Sequence, residues 1–343
     1  MRNVDYRVDV LRGGVPYAQM AFSSPPTVYM DADASIKMTL KGEFIYNERV
    51  NTITDELRPV MILDGAEYPL GIYQFVTVSG NTNAAGIRYE NVEAYDRAIR
   101  LSWAKLEHRD YWAAGTAYDT VIAHYLTSAG ITHVAFTPSD LTLQSDREDW
   151  DIGTPYLEII NTLLAEINYQ QIYFDLSGVA QIRPYTAPSA DNIRHIYRDN
   201  DALSLIRPEY TDEIDLYAKP NVFIAILENP EYETPLVKTA VNDAPGSSLS
   251  TISRGIRIPA VYKVSNIASE DELQKYVDRL RDESMQTSQF VGIQTAAEPG
   301  HQVGDTVALA IEGMQGLFRE TAWSFSLRTG EYMTHTLQRM VML

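Results

Sequence analysis

Residues 156–184 read YLEIINTLLAEINYQQIYFDLSGVAQIRP, and this stretch indicates how the middle of the chain folds. Its first half carries apolar residues at the three- and four-residue spacing of one helical face: Leu157, Ile160, Leu163, Leu164 and Ile167. Its second half holds two short apolar runs on either side of Asp175-Leu-Ser-Gly178, whose glycine suits a tight turn. The stretch therefore predicts a helix that leads directly into a β-hairpin.

Capping residues mark where two helices of this middle region begin. Thr154 followed by Pro155 is typical of a cap residue with proline at the first helical position. Thr116, with Asp119 three residues later, resembles a capping box. The helix after it carries its apolar residues on one face: Tyr118, Val121, Ile122, Tyr125 and Leu126. Helices that precede a short hairpin predict a small α+β domain over residues 101–200.

The residues before this middle region read as β-strands. Residues 6–10 alternate apolar and polar side chains, which is the period of a half-buried strand. Residues 60–63 run into Asp64-Gly65, a strong hairpin signal, and we expect residues 70–78 to form the partner strand. Several short strands with turns between them predict a sandwich or barrel over residues 1–100.

The residues after the middle region return to strands. Residues 221–227 predict a buried strand, and Ser269 with Glu272 forms a capping box that predicts a helix over residues 269–285. Further strands are predicted over residues 307–311, 317–327 and 332–340. We expect residues 201–343 to form a second β-domain that includes this helix and a connecting loop.

The two predicted β-regions share an order of features. Near the start, a strand ends at Asp64-Gly65, and two more strands follow with a polar turn between them. Near the end, a strand ends at Glu312-Gly313, and two more strands follow with Arg328-Thr-Gly330 between them. This recurrence favours two related β-domains, although hairpins also recur by chance in any β-rich region.

The overall composition limits the classes of function. The 343 residues include no cysteine, which excludes disulfides and thiolate chemistry. The formal net charge is −18, so the surface should repel duplex DNA, whose tight binding depends on lysine and arginine. Two explanations of this charge stay open: it keeps the protein soluble, or it lets DNA or an acidic protein pass without adhering.

The hydrophobic pattern predicts no membrane insertion. No stretch approaches the roughly 18 apolar residues of a membrane-spanning helix. The N-terminal residues carry charges every few positions and lack the apolar core of a signal peptide. We therefore expect the protein to be made and kept in the cytoplasm, unless it leaves by lysis or inside a particle.

No motif predicts catalysis, a cofactor or a metal, so we assign no catalytic, cofactor-binding or metal-binding residues. The sequence lacks a nucleophile elbow, a phosphate-binding glycine loop and a His-Glu-x-x-His motif. Asp31 and Asp33 resemble the opening of a calcium loop, but Ile36 and Gly42 stand where that loop needs glycine and glutamate. The histidines lack metal-ligand spacing, and we interpret each as a surface or hydrogen-bonded core residue: His108, His124, His133, His195, His301 and His335.

The acidic run Asp146-Arg-Glu-Asp-Trp-Asp151 is the one stretch with an arguable enzymatic reading. Carboxylates beside Trp150 could form the pair that hydrolyses a glycosidic bond. A solvated loop before the Thr154 cap explains the run better, since sequence neighbours need not face each other across a substrate. The 22 tyrosines and 4 tryptophans suit half-buried strands and leave room for an oligomer interface.

The helix and hairpin over residues 156–184 resemble the middle of the tail hub proteins of contractile-tailed phages and phage tail-like bacteriocins. Later stretches are similar in the same order: the strand over residues 221–225, the capped helix over 270–276, the segment over 299–307 and the strand over 333–337. The shared features are apolar patterns and turns, and they cover most of the chain.

This resemblance implies a mainly β protein in which two tail-tube-like β-barrel domains, residues 1–100 and 201–343, flank the α+β domain. It implies a homotrimer whose pseudo-sixfold ring joins the hexameric tail tube, or a distal tail protein, to the central spike protein. The tape-measure protein is a further candidate partner. DNA would pass through the ring without specific binding. Because the chain ends soon after Leu337, we expect the spike to be a separate protein.

Two other classes of function stay open at this point. A carbohydrate- or receptor-binding baseplate protein would explain the strands and aromatic residues, and it predicts an exposed aromatic platform. A carboxylate-dependent glycosidase explains only the acidic run, and it predicts that replacing Glu148 or Asp149 abolishes activity while folding stays intact. The structural hub explains the order of elements, the missing catalytic motifs and the acidic charge together.

Overall fold

The computed structural model describes residues 3–148, 150–186, 189–199, 206–207, 209–214, 219–228, 235–264, 266–286 and 289–339. These residues are mostly in strands, with a few helices, as the sequence predicts. None of the helices in these ranges combines the length and apolar character needed to cross a membrane.

The elements follow one another along the chain in three groups. The first group consists of strands: β1 (Val4–Arg12), β2 (Val15–Gln19), β3 (Thr27–Asp31), β4 (Met38–Ile45), β5 (Glu56–Leu63), β6 (Ala66–Pro69), β7 (Tyr73–Thr82) and β8 (Arg88–Asp96). The second group mixes helices and short strands: α1 (Ala98–Trp103), α2 (Tyr118–Ser128), β9 (Val134–Phe136), α3 (Tyr156–Glu166), β10 (Tyr173–Phe174) and β11 (Ala180–Ile182).

The third group follows a single 3-10 turn at Ala190–Asn192. Its elements are β12 (Ile193–Arg198), β13 (Thr211–Ile214), β14 (Val222–Leu227), β15 (Leu236–Val241), α4 (Thr251–Arg254), β16 (Pro259–Val264), α5 (Glu270–Gln286), β17 (Gln289–Ala296), β18 (Thr306–Ile311), β19 (Met314–Ser326) and β20 (Tyr332–Arg339).

One large sheet joins the two ends of the chain. Its strand order is β13-β17-β20-β19-β3-β4-β8-β7-β5-β1-β2, with β18 beside β19, β12 beside β18, and β6 beside β5. The first half of β19 pairs with β18 and its second half pairs with β3, while β20 follows it along its other edge. Strand β19 therefore carries one hydrogen-bonded sheet from the C-terminal strands into the N-terminal ones. Within the described residues, the strand ladders do not close into a barrel.

Backbone hydrogen bonds beyond these ladders link the N-terminal strands further. The N–H of Met20 donates to the carbonyl of Val8 in β1 over 2.9 Å. The N–H of Ile45 in β4 donates to the carbonyl of Ala21 over 2.8 Å. The segment that follows β2 therefore contacts both β1 and β4, which have three other strands between them in the sheet order.

The hairpin at Asp64-Gly65 forms, but the predicted partner strand is wrong. Across the turn, β5 pairs with β6. The predicted partner, residues 70–78, lies mostly in β7, which pairs with β5 at only two positions. Between β6 and β7, Gly71 takes a left-handed φ of +107° and donates its N–H to the carbonyl of Leu176. This bond to the β10–β11 hairpin turns the chain away from β5.

The predicted helices of the middle region form, but their predicted caps are wrong. Helix α2 buries the predicted apolar face, yet its N-cap is Ala117 and no side chain caps it. The Thr116 hydroxyl donates instead to the carbonyl of Ala113, and Asp119 accepts the N–H of Ser139. Helix α3 likewise has Pro155 as its uncapped N-cap, because Pro155 still takes part in an extended bridge to the preceding chain.

The capping signal before α5 is confirmed. The Ser269 hydroxyl accepts the N–H of Glu272 over 3.1 Å, which satisfies one of the free donors of the first turn. Helix α5 packs on a separate three-stranded sheet of order β15-β14-β16. Its apolar face meets Ala225 and Leu227 of β14 there, so the predicted buried strand is also confirmed.

Four hydrophobic clusters hold the elements together. The N-terminal cluster fills the space beside β1–β8 and takes in Trp323 and Phe325 of β19. The middle cluster joins α1, α2 and α3 to β9–β11. The C-terminal cluster lies among β12 and β17–β20, and the small-sheet cluster lies under α5. Residues from the predicted third domain, 201–343, thus contribute to several clusters.

Candidate functional site

A buried polar cluster in the C-terminal part of the sheet brings histidines together from distant parts of the sequence. His301, Glu320 and His335 are at most 1% exposed. Glu320 lies on β19 opposite Leu337 of β20, so His335, two residues away on β20, lies on the same face of the sheet. His301 reaches the pair from the loop between β17 and β18.

Glu320 accepts a hydrogen bond from each of these two histidines. Its Oε1 lies 2.5 Å from Nδ1 of His335, and its Oε2 lies 2.7 Å from Nδ1 of His301. Burial by itself would raise the pKa of Glu320, but these hydrogen bonds and charge interactions lower it to about 2. The carboxylate therefore stays ionised at neutral pH.

His335 is the neutral partner in this cluster. Burial lowers the pKa of His335, and the attraction of Glu320 offsets that only in part. With its Nδ1–H donated to Glu320, its Nε2 is the acceptor, and it lies 2.8 Å from the Thr295 hydroxyl, which also donates to the carbonyl of Ala296 over 3.0 Å. Both ring nitrogens thus lie within hydrogen-bond distance of a polar side chain.

Further side chains connect the cluster to other elements. The Tyr197 hydroxyl, from β12, lies 2.9 Å from Nε2 of His301 and donates to Glu298 over 3.1 Å. The ring of His195, also from β12, stacks on His301 with centroids 3.6 Å apart and planes 8° apart. Nε2 of His195 lies 3.3 Å from a carboxylate oxygen of Asp305. The network therefore joins β12, β17, β19, β20 and the loop before β18.

Two groups in this network have enough ligand atoms to suggest a metal site, namely His195, Glu298 and His301, and His301, Glu320 and His335. Ligand atoms on a tetrahedral zinc lie about 3.3 Å apart, because each bond is about 2.0 Å. The 2.5 and 2.7 Å contacts of Glu320 are hydrogen-bond lengths instead. In the other group the rings of His195 and His301 stack with planes 8° apart, so their in-plane nitrogen lone pairs lie in nearly parallel planes and do not converge as on a tetrahedral ion. The geometry is that of a hydrogen-bonded core network.

The remaining histidines lie apart from this network. His108 is exposed and lies 3.3 Å from Asp110. His124 packs edge-on against Trp112, and His133 is exposed before β9. The separation of the six histidines into a buried group and a surface group is visible only in the tertiary structure, because no spacing in the sequence distinguishes them.

Arg147 and Trp150, the two non-acidic residues of the run from Asp146 to Asp151, fix its position in the structure. The buried guanidinium of Arg147 donates to both carboxylate oxygens of Glu166, over 3.0 and 2.8 Å, and lies over the ring of Trp150. Asp146 accepts hydrogen bonds from the Tyr111 hydroxyl and a backbone N–H. Glu148 is exposed, and Asp149 lies outside the described residues. Arg147 and Trp150 thus serve the core of the middle region.

The aspartates of the calcium-like sequence form a backbone turn. Oδ1 of Asp31 accepts the N–H groups of Asp33 and Ala34, over 2.9 and 3.3 Å. This is the local side-chain-to-backbone bonding that favours aspartate in turns.

Three solved structures share the fold over almost the entire chain. The tail protein from Neisseria meningitidis MC58 superposes with a TM-score of 0.68 at 13% identity, covering 98% of this chain and 97% of that one. The 43 kDa tail protein of prophage MuSo2 from Shewanella oneidensis gives 0.66 at 11% identity, covering 98% of both chains. Prophage tail protein gp18 from Listeria monocytogenes EGD-e gives 0.62 at 11% identity, covering 97% and 94%.

The amino-acid sequence by itself finds no such match. No protein-family model matches it, and no curated protein matches it significantly. At these low identities the structural likeness establishes the fold, and the three proteins that share it are all tail proteins. The expected resemblance to tail and baseplate proteins is confirmed at that level.

Proposed function

Because this chain has the fold of tail proteins, we propose that it is a structural subunit of a phage-type tail or baseplate and not an enzyme. The observation that carries the proposal is the extent of the likeness, which covers 98% of this chain and 97% of the Neisseria tail protein. A shared fold over both full lengths leaves little of the chain for an added catalytic domain. The buried polar cluster around Glu320 supports the same proposal, because His301, Glu320 and His335 are at most 1% exposed and so are closed to a substrate.

Within that class we propose a hub: three copies form a pseudo-sixfold ring that joins the tail tube to the central spike and leaves a channel for DNA. The ring requires two comparable β-domains in each subunit. In support, β5, β7 and β8 form an antiparallel series near the start, and β18, β19 and β20 form one near the end. The hydrogen bonds of Met20 and Ile45 draw β1 and β4 together, as a barrel would require.

The two halves also differ in one pairing. Strand β1 runs antiparallel to β5, whereas β12 runs parallel to β18. In the proposed hub the two β-regions are therefore related but not identical, so each can contact a different partner. The tube, or a distal tail protein, and the spike are the partners that a hub would join.

An exposed apolar patch at the edge of the sheet supports contact between copies. Val15 and Tyr17 of the terminal strand β2 are 65% and 40% exposed, and Ile53 is 84% exposed. Arg12 links the two parts of the patch, because it lies over the Tyr17 ring and binds Asp55. An unpaired edge strand with apolar side chains favours association with another chain.

The mass of the purified chain in solution tests the ring. We expect particles of three subunits with threefold symmetry in mass photometry and negative-stain imaging, alone or after addition of candidate tube and spike proteins. Ile53→Asp should weaken that assembly. Ile152→Asp, at a 65% exposed isoleucine in the middle region, is the matched control and should leave it intact. A monomer that forms no ring even with both partners present would contradict the hub.

The net charge of −18 leads to a further expectation within the hub proposal. A channel wall that repels phosphate would let DNA slide through without binding. The charge on the inner wall of an imaged ring decides this point, and a basic wall would overturn it.

A carbohydrate- or receptor-binding baseplate protein is the second candidate. Trp103 and Tyr111 of the middle region are 51% and 56% exposed, and exposed aromatic rings are the feature that this candidate predicts. Screening the chain against a glycan array, with Trp103→Ala as the comparison, separates it from the hub. Specific binding that Trp103→Ala removes would favour it.

A further inference from the structure

A polar cavity of about 440 Å³ lies where several parts of the chain meet. The loop before β4, helices α3 and α5, the segments around β10 and after β11, the loop before β18, and strands β19 and β20 contribute to its wall. The side chains that the argument uses are Asp33, Lys37, Tyr185, Arg279, Glu283 and Arg319. The cavity is separate from the Glu320 cluster.

Lys37 places a buried ammonium at the wall of this cavity; among the described residues it forms no ion pair within 4 Å, and Asp33, Asp31 and Asp96 act on it only from farther away. Its side chain is in the core, with the residue only 4% exposed. The ammonium donates to the carbonyl of Ala32 over 2.8 Å and to Oε1 of Gln171 over 2.9 Å. Both acceptors are neutral, and an ammonium has three donors, so one N–H is left over. A buried charge without an ionic partner is costly to the fold.

Two more donors face the same space without acceptors. Among the residues that the structure describes, the half-buried guanidinium of Arg319 makes no hydrogen bond or ion pair. The buried hydroxyl of Tyr185 has no hydrogen-bond partner either. Cross-strand pairing with Gln338 holds Arg319 at this position of the sheet. Three donors of different elements are therefore left unsatisfied around one cavity.

The two carboxylates at this cavity act on Lys37 and Arg319 through space, but among the described residues neither forms an ion pair with them. Asp33 is exposed at the rim. Glu283 lies 3.9 Å from Arg279, its neighbour one turn away on α5. Arg279 also donates to the carbonyl of Tyr169 over 3.3 Å.

A second cavity, of about 550 Å³, adjoins the first and extends the positive surface. The two share Gln170, Tyr173, Thr186 and Gly304 in their walls. The second adds Arg183 and Arg194 against one carboxylate, that of Asp305. Basic residues therefore outnumber acidic ones five to three along the joined cavities, the reverse of a chain with 28 basic and 46 acidic residues.

We propose that the 440 Å³ cavity is an oxyanion-binding site that receives a carboxylate or phosphate group between Lys37, Tyr185 and Arg319. One such group accepts several hydrogen bonds at once, and bonds from charged donors are about twice as strong as neutral ones. The oxyanion would satisfy all three donors and give Lys37 an ionic partner. It can come from a free anion or from an acidic segment of a partner protein.

Titration calorimetry on the purified full chain tests the site with two probes, inorganic phosphate and a peptide of glutamates. Binding of phosphate identifies a site for a free anion, and binding of the peptide alone identifies a partner's acidic segment. Either result supports the proposal if Arg319→Gln weakens it by about tenfold, the loss expected for one charge-assisted bond. The outcome does not depend on ring formation.

Matched variants keep this test decisive. Arg328→Gln removes the same charge from an exposed arginine that is 66% accessible and outside the cavity, and it should leave binding unchanged. Tyr185→Phe removes only the unpaired hydroxyl, so it should fold normally and weaken binding, which covers the case in which Arg319→Gln does not fold. No binding of either probe, or equal losses in Arg319→Gln and Arg328→Gln, would overturn the proposal.

Discussion

At the residue scale, the cluster around Glu320 shows how a buried charge is kept within a β-sheet. The carboxylate is 0% exposed, and its two oxygens are satisfied by different histidines. Those histidines in turn meet the hydroxyls of Tyr197 and Thr295. A complete hydrogen-bond network of this kind fixes one arrangement of its strands, because any other arrangement leaves a buried polar atom unpaired.

Replacing Glu320 by glutamine should destabilise the fold. The amide keeps the size of the carboxylate, but its NH₂ group would face the N–H of one of the two histidines. Two donors would then meet with no acceptor between them. We expect the free energy of unfolding in urea to fall by about 1–3 kcal/mol, the usual cost of an unsatisfied buried group. Glu331→Gln, at a 44% exposed ion pair with Arg328, is the control and should change it by less than about 1 kcal/mol. Equal effects would contradict a role for the network.

The same cluster makes stability depend on pH. The folded pKa of Glu320 is about 2, below its ordinary value of 4.5, so its contribution is present above pH 4.5 and is lost as the pH falls toward 2. The folded pKa of His335 lies below 6.5, so the unfolded chain takes up its proton first as the pH falls through 6.5. Both groups therefore reduce stability on acidification.

Unfolding by urea between about pH 7 and about pH 5 covers the range in which the unfolded chain protonates His335, but burial also raises the pKa of Asp96 to about 6. A comparison of variants therefore isolates the histidine's share. We expect stability to decrease over this interval in the natural chain and to decrease less steeply in His335→Gln. His108→Gln, at an 82% exposed side chain, should keep the steeper slope. A slope that His335→Gln leaves unaltered would show that other groups cause the pH dependence.

At the element scale, β19 is the strand on which the two ends of the chain depend. It is 13 residues long, and its length lets it pair with β18 first and β3 afterwards. Its side chains follow the same division: Phe318 belongs to the C-terminal cluster, while Trp323 and Phe325 belong to the N-terminal one. A substitution that disrupts β19 should therefore destabilise both the N-terminal and the C-terminal strands.

Proline at Ser324 tests this role, since Ser324 lies between β3 and β20 in the sheet. Proline removes a ladder N–H in the middle of a sheet, which costs about 3 kcal/mol or more. Ser324→Ala changes only a half-buried hydroxyl and should cost less than about 1 kcal/mol. Urea unfolding followed by tryptophan fluorescence measures both. Equal stability of the two variants would show that β19 is dispensable as a link.

At the scale of the whole molecule, the acidic charge and the tail-protein fold are both consistent with a protein that does not bind DNA tightly. The chain carries 46 acidic and 28 basic residues on the fold of tail proteins. Its joined basic cavities are a local exception that suits small or carboxylate-bearing ligands. A long polyanion such as DNA meets the charge of the whole surface instead.

We therefore expect no saturable binding of duplex DNA. In fluorescence anisotropy with a labelled duplex of about 30 base pairs, the signal should stay flat at about 150 mM salt, because few phosphates can be neutralised. Flat titrations are also expected at lower salt. A submicromolar dissociation constant would contradict the view that DNA passes this protein without being held.

Local patterns in the sequence were enough to predict the elements. The apolar spacing in α2 and α3 predicted the faces that are buried, and the Ser269 cap predicted the start of α5. These features depend on neighbours within a few residues, which the chain itself specifies. The order of strands, helices and strands also carried the resemblance to tail proteins, and the fold agrees with it.

The tertiary structure alone decided which distant parts meet. It paired β5 with β6 across the turn and with β7 at only two positions, joined β3 to β19, and brought His195 and His301 into contact beside Glu320. Periodicity specifies which face of a strand is buried but not which strand lies beside it. That choice depends on the packing of the whole chain, where many weak contacts are satisfied together.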